Sequence, residues 1–191
     1  ADVDRDAVVV ASKAGFLPYD GSRPDDHAAY VRERFVDPGV VDPAELARGV
    51  HSLDPAFLDA MVDRSLSRLG LETVDCYYVH NPETQLADRE ADAVYDRLEA
   101  AFETLERRVR AGDVGAYGVA TWEAFRVAPD HEARLHLPAV LSRARAAADA
   151  VGADDHSLSA IQLPFNVLMA EAFSRRLHDR GDERVSALEF A

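Results

Sequence analysis

Residues 65–82 read Ser-Leu-Ser-Arg-Leu-Gly-Leu-Glu-Thr-Val-Asp-Cys-Tyr-Tyr-Val-His-Asn-Pro. Gly70 is a helix stop, because glycine takes the left-handed conformation that ends a helix at little cost. The helix it closes begins at Asp54-Pro55, with aspartate as N-cap and proline at the first helical position. Phe57, Leu58, Met61, Val62, Leu66 and Leu69 then fall on one face at helical spacing. Past Gly70, Leu71–Val79 reads as a strand, and His80-Asn81-Pro82 ends it. A helix thus feeds a strand, and the strand runs out on a histidine.

The same alternation extends in both directions. Upstream, Ala7–Ser12 is short, rich in valine and continuously apolar, which predicts a strand buried on both faces, with Lys13 directly after it. Residues 14–53 form a long irregular insertion punctuated by glycine and proline, with His27–Phe35 and Pro43–Val50 as short-helix candidates. A loop of that length in a compact chain is expected to serve function, here as part of a pocket wall. Downstream, Asp88–Ala111 predicts a long helix carrying Val94, Leu98, Phe102, Leu105 and Val109 inward, closed by Gly112. Glu103, Glu106, Arg107 and Arg110 on that helix read as a solvated face. Val114–Ala120 is the next strand, Leu137–Val151 an alanine-rich helix, and Leu158–Leu163 a further strand ending at Pro164. The tail from Ser174 is charged, with a helix start at Val185–Phe190.

Strands separated by helices predict an α/β fold with a parallel sheet. No G-x-G-x-x-G or Walker loop follows any strand, so a (β/α) barrel of the TIM type is favoured over an open nucleotide-binding sheet. All 191 residues read as one barrel-type domain. In such barrels the chemistry sits at the C-terminal ends of the strands. The polar residues there are Lys13, His80, Thr121 with Trp122, and Gln162 with Asn166.

Composition narrows the function. Thirty-five acidic residues against 21 basic ones give a net charge of −14, a surface that repels nucleic acid. One cysteine, Cys76, excludes a disulfide framework, and the seven histidines show no metal-ligand spacing, so no metal site is expected. No apolar run is long enough to span a membrane and no signal-peptide pattern opens the chain, which predicts a cytoplasmic protein with no membrane partner. Twenty of the 21 basic residues are arginine, and Lys13 is the exception. Aspartate outnumbers glutamate 22 to 13, and with a single lysine this suggests either a halophile-like solvated surface or a GC-rich genome. Lysine offers a compact charge with a shiftable pKa where arginine offers a wide, permanently charged fork. Lys13 is therefore either a structural ion-pair partner or a group retained for chemistry. His80 reads equally as a satisfied structural residue or as a hydrogen-bonding group active near neutral pH. Gln162 lies inside an apolar strand, where a buried amide needs a partner from the protein or from a ligand. Trp122 serves as a core or rim aromatic, or as a pocket wall.

These segments are familiar together. Val9-Ala11-Ser12-Lys13 resembles the lysine strand of the aldo-keto reductases, and Ser65–Pro82 resembles that family's helix, strand and histidine, spelled S-L-x-R-L-G…D-x-Y-x-x-H-x-P. Gly112–Thr121 resembles its next strand, usually ending G-V-S-N, and Gln162–Asn166 its Q-x-x-Y/F-N segment. The resemblance runs from about residue 7 to about residue 170. It implies an eight-stranded (β/α) barrel, with the third to sixth strands in this chain. It also implies reduction of a small aldehyde or ketone by hydride transfer from NADPH or NADH. Lys13 and His80 would be catalytic, members of an Asp-Tyr-Lys-His tetrad. Gln162 and Thr121 would hold the nicotinamide carboxamide, and Trp122 would line the substrate pocket. Ala120-Thr121 replaces the usual Ser-Asn pair, so the first of those two contacts is lost. The family's Asp and Tyr precede the lysine strand, and the sequence is therefore expected to be a piece of a longer polypeptide. The alternative is an inactive partial barrel that serves as a binding or assembly module. A metal-dependent barrel hydrolase using His80 lacks the paired ligands it would need.

Overall fold

Four parallel strands build the main sheet in the order β1 (Ala11–Ala14), β2 (Val74–His80), β3 (Val114–Ala120), β4 (Leu158–Gln162). The structure is a computed structural model and describes residues 4–191. Helix α2 (Pro55–Leu69) connects β1 to β2, α3 (Ala91–Ala111) connects β2 to β3, and α4 (Leu137–Val151) connects β3 to β4. The strand order never reverses. Parallel crossovers are right-handed, so three crossovers progressing in one direction place all three helices on the same face. This is the wall of a (β/α) barrel. An open sheet with helices on both faces requires a reversal in the strand order.

One core lies between the sheet and these helices. Tyr77, Val79, Tyr117 and Val119 from the strands meet Phe57, Leu58 and Val62 of α2, Leu98, Phe102 and Leu105 of α3, and Val140 and Ala144 of α4. The Asp54 carboxylate caps α2 by accepting from the Ala56 and Phe57 N–H groups at 2.9 and 3.1 Å. β3 and α4 fall on the residues that periodicity predicts.

The first strand does not. Residues 5–7 make a 3₁₀ turn, the strand begins at Ala11, and Val9 is 81% exposed. β1 is an edge strand that pairs only with β2 among the described residues. Its entry is set by Asp75, whose carboxylate takes the Val10 N–H at 2.6 Å and the Arg5 guanidinium at 2.8 Å. Lys13 accordingly lies within the strand and not after it. The segment 14–53 is packed along its length. α1 (His27–Val31) runs on into a wider π turn over Arg32–Val36, and only Pro43–Glu45 of the second candidate is helical, as a 3₁₀ turn. Leu17, Val31, Phe35, Val41 and Leu53 are buried.

Beyond β4, α5 (Glu171–Ser174) leads to a hairpin of β5 (His178–Arg180) and β6 (Glu183–Val185), and α6 (Ala187–Phe190) follows. His178 pins this hairpin to the domain. Its Nε2–H donates to the Phe125 carbonyl at 2.7 Å, and its Nδ1 accepts from the Leu137 N–H at 3.4 Å.

Glu106 corrects the expectation of a solvated face on α3. It is 1% exposed, because it stands one helical turn past Phe102, on the inward stripe. Its carboxylate accepts from the Tyr117 hydroxyl at 2.8 Å, the Ser157 N–H at 2.7 Å and the Ser157 hydroxyl at 2.8 Å. One side chain thus ties α3 to β3 and to the start of β4. Burial, reinforced by the adjoining carboxylate, pushes the Tyr117 phenol far above its ordinary pKa. Glu106→Ala leaves one buried and two half-buried donors without their acceptor and is expected to cost about 3 kcal/mol in urea unfolding. A loss below about 1 kcal/mol would show that the tie does not hold the sheet.

Candidate active site

The register of the sheet aligns the strand-end residues in rows. Lys13, Tyr78, Gly118 and Ala160 are successive partners across the four strands, and His80, Ala120 and Gln162 are partners one step further on. Residues two apart on a strand share a face, so both rows face away from the helices. Small residues in the lower row make room. A Cβ on Gly118 would stand 2.7 Å from the Tyr78 ring, so the ring lies where a side chain would otherwise project.

Lys13 Nζ donates to Gln162 Oε1 at 3.0 Å. The two residues are three strands apart, roughly 14 Å on a flat sheet. Side chains stand nearly perpendicular to a sheet, so this contact requires the four strands to curl into a concave wall. An open cleft of about 270 Å³ lies at its rim, bordered by Lys13, His80, Thr121, Trp122 and Gln162. His80 is half-buried. Burial, and then the nearby Lys13 ammonium, hold its pKa below the ordinary histidine value, so it presents a neutral imidazole at neutral pH. Gln162 is exposed, not buried as its strand composition predicts, and Trp122 stands on the rim at 56% exposure.

The structure brings Lys13, His80 and Gln162 together. Thr121 borders the same cleft, but its hydroxyl is committed elsewhere. It donates to Glu83 Oε1 at 2.7 Å and accepts from the Ala124 N–H at 2.9 Å. Glu83 Oε1 also takes the Trp122 and Glu123 N–H groups at 2.8 and 3.1 Å. A buried carboxylate from the turn after β2 therefore fixes the turn after β3, and with it the placement of Trp122. Asn166 caps its own turn, accepting from the Leu168 and Met169 N–H groups.

Sequence reasoning passed over two residues beneath the rim. His51 and Gln85 are fully buried and bonded to each other, Gln85 Nε2 to His51 Nδ1 at 2.8 Å. His51 Nε2 stands 2.7 Å from the main-chain carbonyl oxygen of His80. One signal points to His51: it lies three residues before the N-cap of α2, and helices that follow a barrel strand start at the rim where that strand ends. Among the described residues no group of three or more His, Cys, Asp or Glu side chains is arranged to hold a metal ion. No helix among them is long and apolar enough to cross a membrane.

The family model described as the aldo/keto reductase family matches residues 1–140. No curated protein sequence matches the chain. Among solved structures, an aldo-keto reductase from Bacillus halodurans in its holo form is similar, with 16% sequence identity and a TM-score of 0.47. That match covers 84% of this chain and 35% of the other, so the chain spans about a third of the length of that protein.

Burial pushes the pKa of both His51 and His178 down to about 4. In the unfolded chain both rings titrate near about 6.5. Between those values the unfolded chain binds more protons than the folded one, so stability is complete above about pH 6.5 and falls as the pH drops toward 4. The slope is at most about 1.4 kcal/mol per pH unit for each ring. Thermal unfolding across this range is expected to show Tm dropping with acidification, and His178→Gln to flatten part of the drop. A slope that His178→Gln leaves unchanged would contradict this assignment.

Proposed function

The chain belongs to the aldo/keto reductase family, and we propose that it carries the lysine, histidine and carboxamide-binding part of an active site that reduces aldehydes or ketones with NADPH or NADH. The observation that carries this reading is the convergence of Lys13, His80 and Gln162 on one cleft at the C-terminal rim of a curled parallel sheet.

Gln162 fits the cofactor's amide. Its Oε1 accepts from Lys13, while its Nε2 has no hydrogen-bond partner among the described residues and lies in the exposed cleft. That Nε2 would donate to a carboxamide oxygen. Thr121 flanks the same side, with its hydroxyl spent on Glu83, so the amide contact rests on Gln162. When bound, the nicotinamide supplies the hydride.

The remaining work falls to side chains. The neutral His80 imidazole donates a hydrogen bond to the substrate carbonyl oxygen and fixes its direction. As the carbonyl carbon becomes tetrahedral, its oxygen would take a proton from the tyrosine acid that the family pairs with this lysine and histidine. Lys13 places a positive charge beside that acid and lowers the cost of its ionised form. Trp122 walls the open side of the cleft and presents an apolar face to the substrate.

Lys13→Met removes the charge while keeping the length of the side chain. In the intact protein, followed by NADPH absorbance with a reactive aromatic aldehyde, it is expected to lower turnover by at least about a hundredfold. Its circular dichroism should stay that of the parent. Unchanged turnover would sink the reading.

A further inference from the structure

We infer that His51, held in one tautomer by Gln85, is a positioning residue for His80: its ring grips the His80 main chain and thereby sets where the His80 imidazole stands in the cleft. The inference rests on the reductase reading for what His80 does, and on geometry alone for what His51 does.

The tautomer follows from the partners. His51 Nε2 lies 2.7 Å from the His80 carbonyl oxygen, and a carbonyl only accepts, so Nε2 carries a proton. Gln85 Nε2 lies 2.8 Å from His51 Nδ1 and 3.2 Å from the His51 carbonyl oxygen. With its Nε2 assigned to this side, the amide offers both hydrogens to two acceptors, and Nδ1 accepts with its lone pair. The ring is neutral and fixed from both sides. Its burial, which pushes the pKa down to about 4, keeps it so through the physiological range.

The grip falls where the sheet no longer provides one. β1 ends at Ala14, so the His80 carbonyl on β2 has lost its neighbouring strand, and His51 supplies the donor in place of the ladder. Past that point the chain turns sharply: Asn81 adopts a left-handed φ of 47° and donates to the Ala120 carbonyl at 2.6 Å. Gly15 makes the approach possible. A Cβ there would stand 2.3 Å from the His80 oxygen and 2.8 Å from His51 Nε2. Phe16 completes the arrangement, meeting the His51 ring edge-on at 4.9 Å and the His80 ring at 5.5 Å. The main chain of His80 is thus held by His51, and its ring by a phenyl group that also rests on His51. His51 is fully buried and does not border the cleft, so it acts only through His80.

Histidine ring spectra of the intact protein, correlating ring protons with ¹⁵N, test this directly. The expected pattern is a His51 ring protonated at Nε2 alone and not titrating between roughly pH 5.5 and 8. His51→Leu removes the donor. It is expected to shift the His80 ring signals and titration midpoint, and to lower kcat on the order of a hundredfold with KM little changed. His51→Gln, whose amide can donate to the same carbonyl, should restore most of both. If His51→Leu fails to fold, Gln85→Leu takes its place: the His51 ring should lose its single tautomer and the His80 midpoint should move. A His51 ring protonated at Nδ1 in the parent protein overturns the inference. So does a folded His51→Leu, or a Gln85→Leu, whose His80 signals match the parent. Absence of carbonyl reduction by the parent protein would remove the reductase reading alone, leaving the spectra to decide on His51.

Discussion

A lysine on the first strand meets a glutamine on the fourth only if the sheet between them curls, and the rest of the site depends on that curvature. Twist alone rotates neighbouring strands, whereas convergence of side chains three strands apart requires a concave face. The residues that permit it are the small ones. Gly118 and Ala160 occupy the row below the rim, and the Tyr78 ring lies in the space that a side chain on Gly118 would take. On the convex side the three helices fill the core with Phe57, Leu98, Phe102 and Val140, so the curvature is supported from outside by packing.

A curled parallel sheet creates a second problem at its rim. Strands end at different heights, and the carbonyl groups of the longer ones lose their neighbours just where side chains must be placed accurately. A buried unpaired carbonyl is costly. Here the solution comes from the long segment after β1, which returns to the sheet before α2 begins. The Leu17 N–H donates to Val50, the Ser52 N–H to Gly15, and His51 to His80. Glu83 performs the same office on the other side, collecting three donors from the turn after β3. The two turns that frame the cleft are therefore held by side chains from neighbouring loops, which is how a rigid rim arises from irregular chain.

Much of the fold was legible in the sequence, because its signals are local. Asp54-Pro55, Gly70 and Gly112 punctuate helices whose apolar spacing is unambiguous, and β3 lies between a glycine stop and a polar turn. The failures share a cause: each needed a contact between distant segments. Val8 and Val9 read as buried strand, and they are exposed because the strand begins only at Ala11, after Asp75, some 65 residues away, takes the Val10 N–H. Glu106 read as solvated because its partners, Tyr117 and Ser157, lie on other elements. His51 looked like a loop histidine, since nothing in its neighbourhood announces Gln85 or the His80 carbonyl. The short β5–β6 hairpin has too few residues for periodicity to register. Lys13, His80 and Gln162 stood out for chemical reasons, a lone lysine, a strand-ending histidine and an amide in an apolar strand, and the structure places all three at one cleft while leaving Gln162 exposed.

Charge sets that lysine apart from the arginines. Arginine in this chain is used to bind carboxylates. Arg108 bridges Asp59, Asp63 and Asp113, and Asp20 gathers Arg34, Arg64 and Arg68, with Arg34 foremost in holding its carboxyl down to about 2. Lys13 has no carboxylate partner among the described residues, and its contact is to a neutral amide oxygen. A cation so placed keeps its field, because no adjacent anion cancels it. That field acts on the groups sharing the cleft. It disfavours a second positive charge, which is part of why His80 stays neutral, and it favours a negative one. The cleft thus joins a half-buried imidazole held below its ordinary pKa to an ammonium with no carboxylate partner among the described residues.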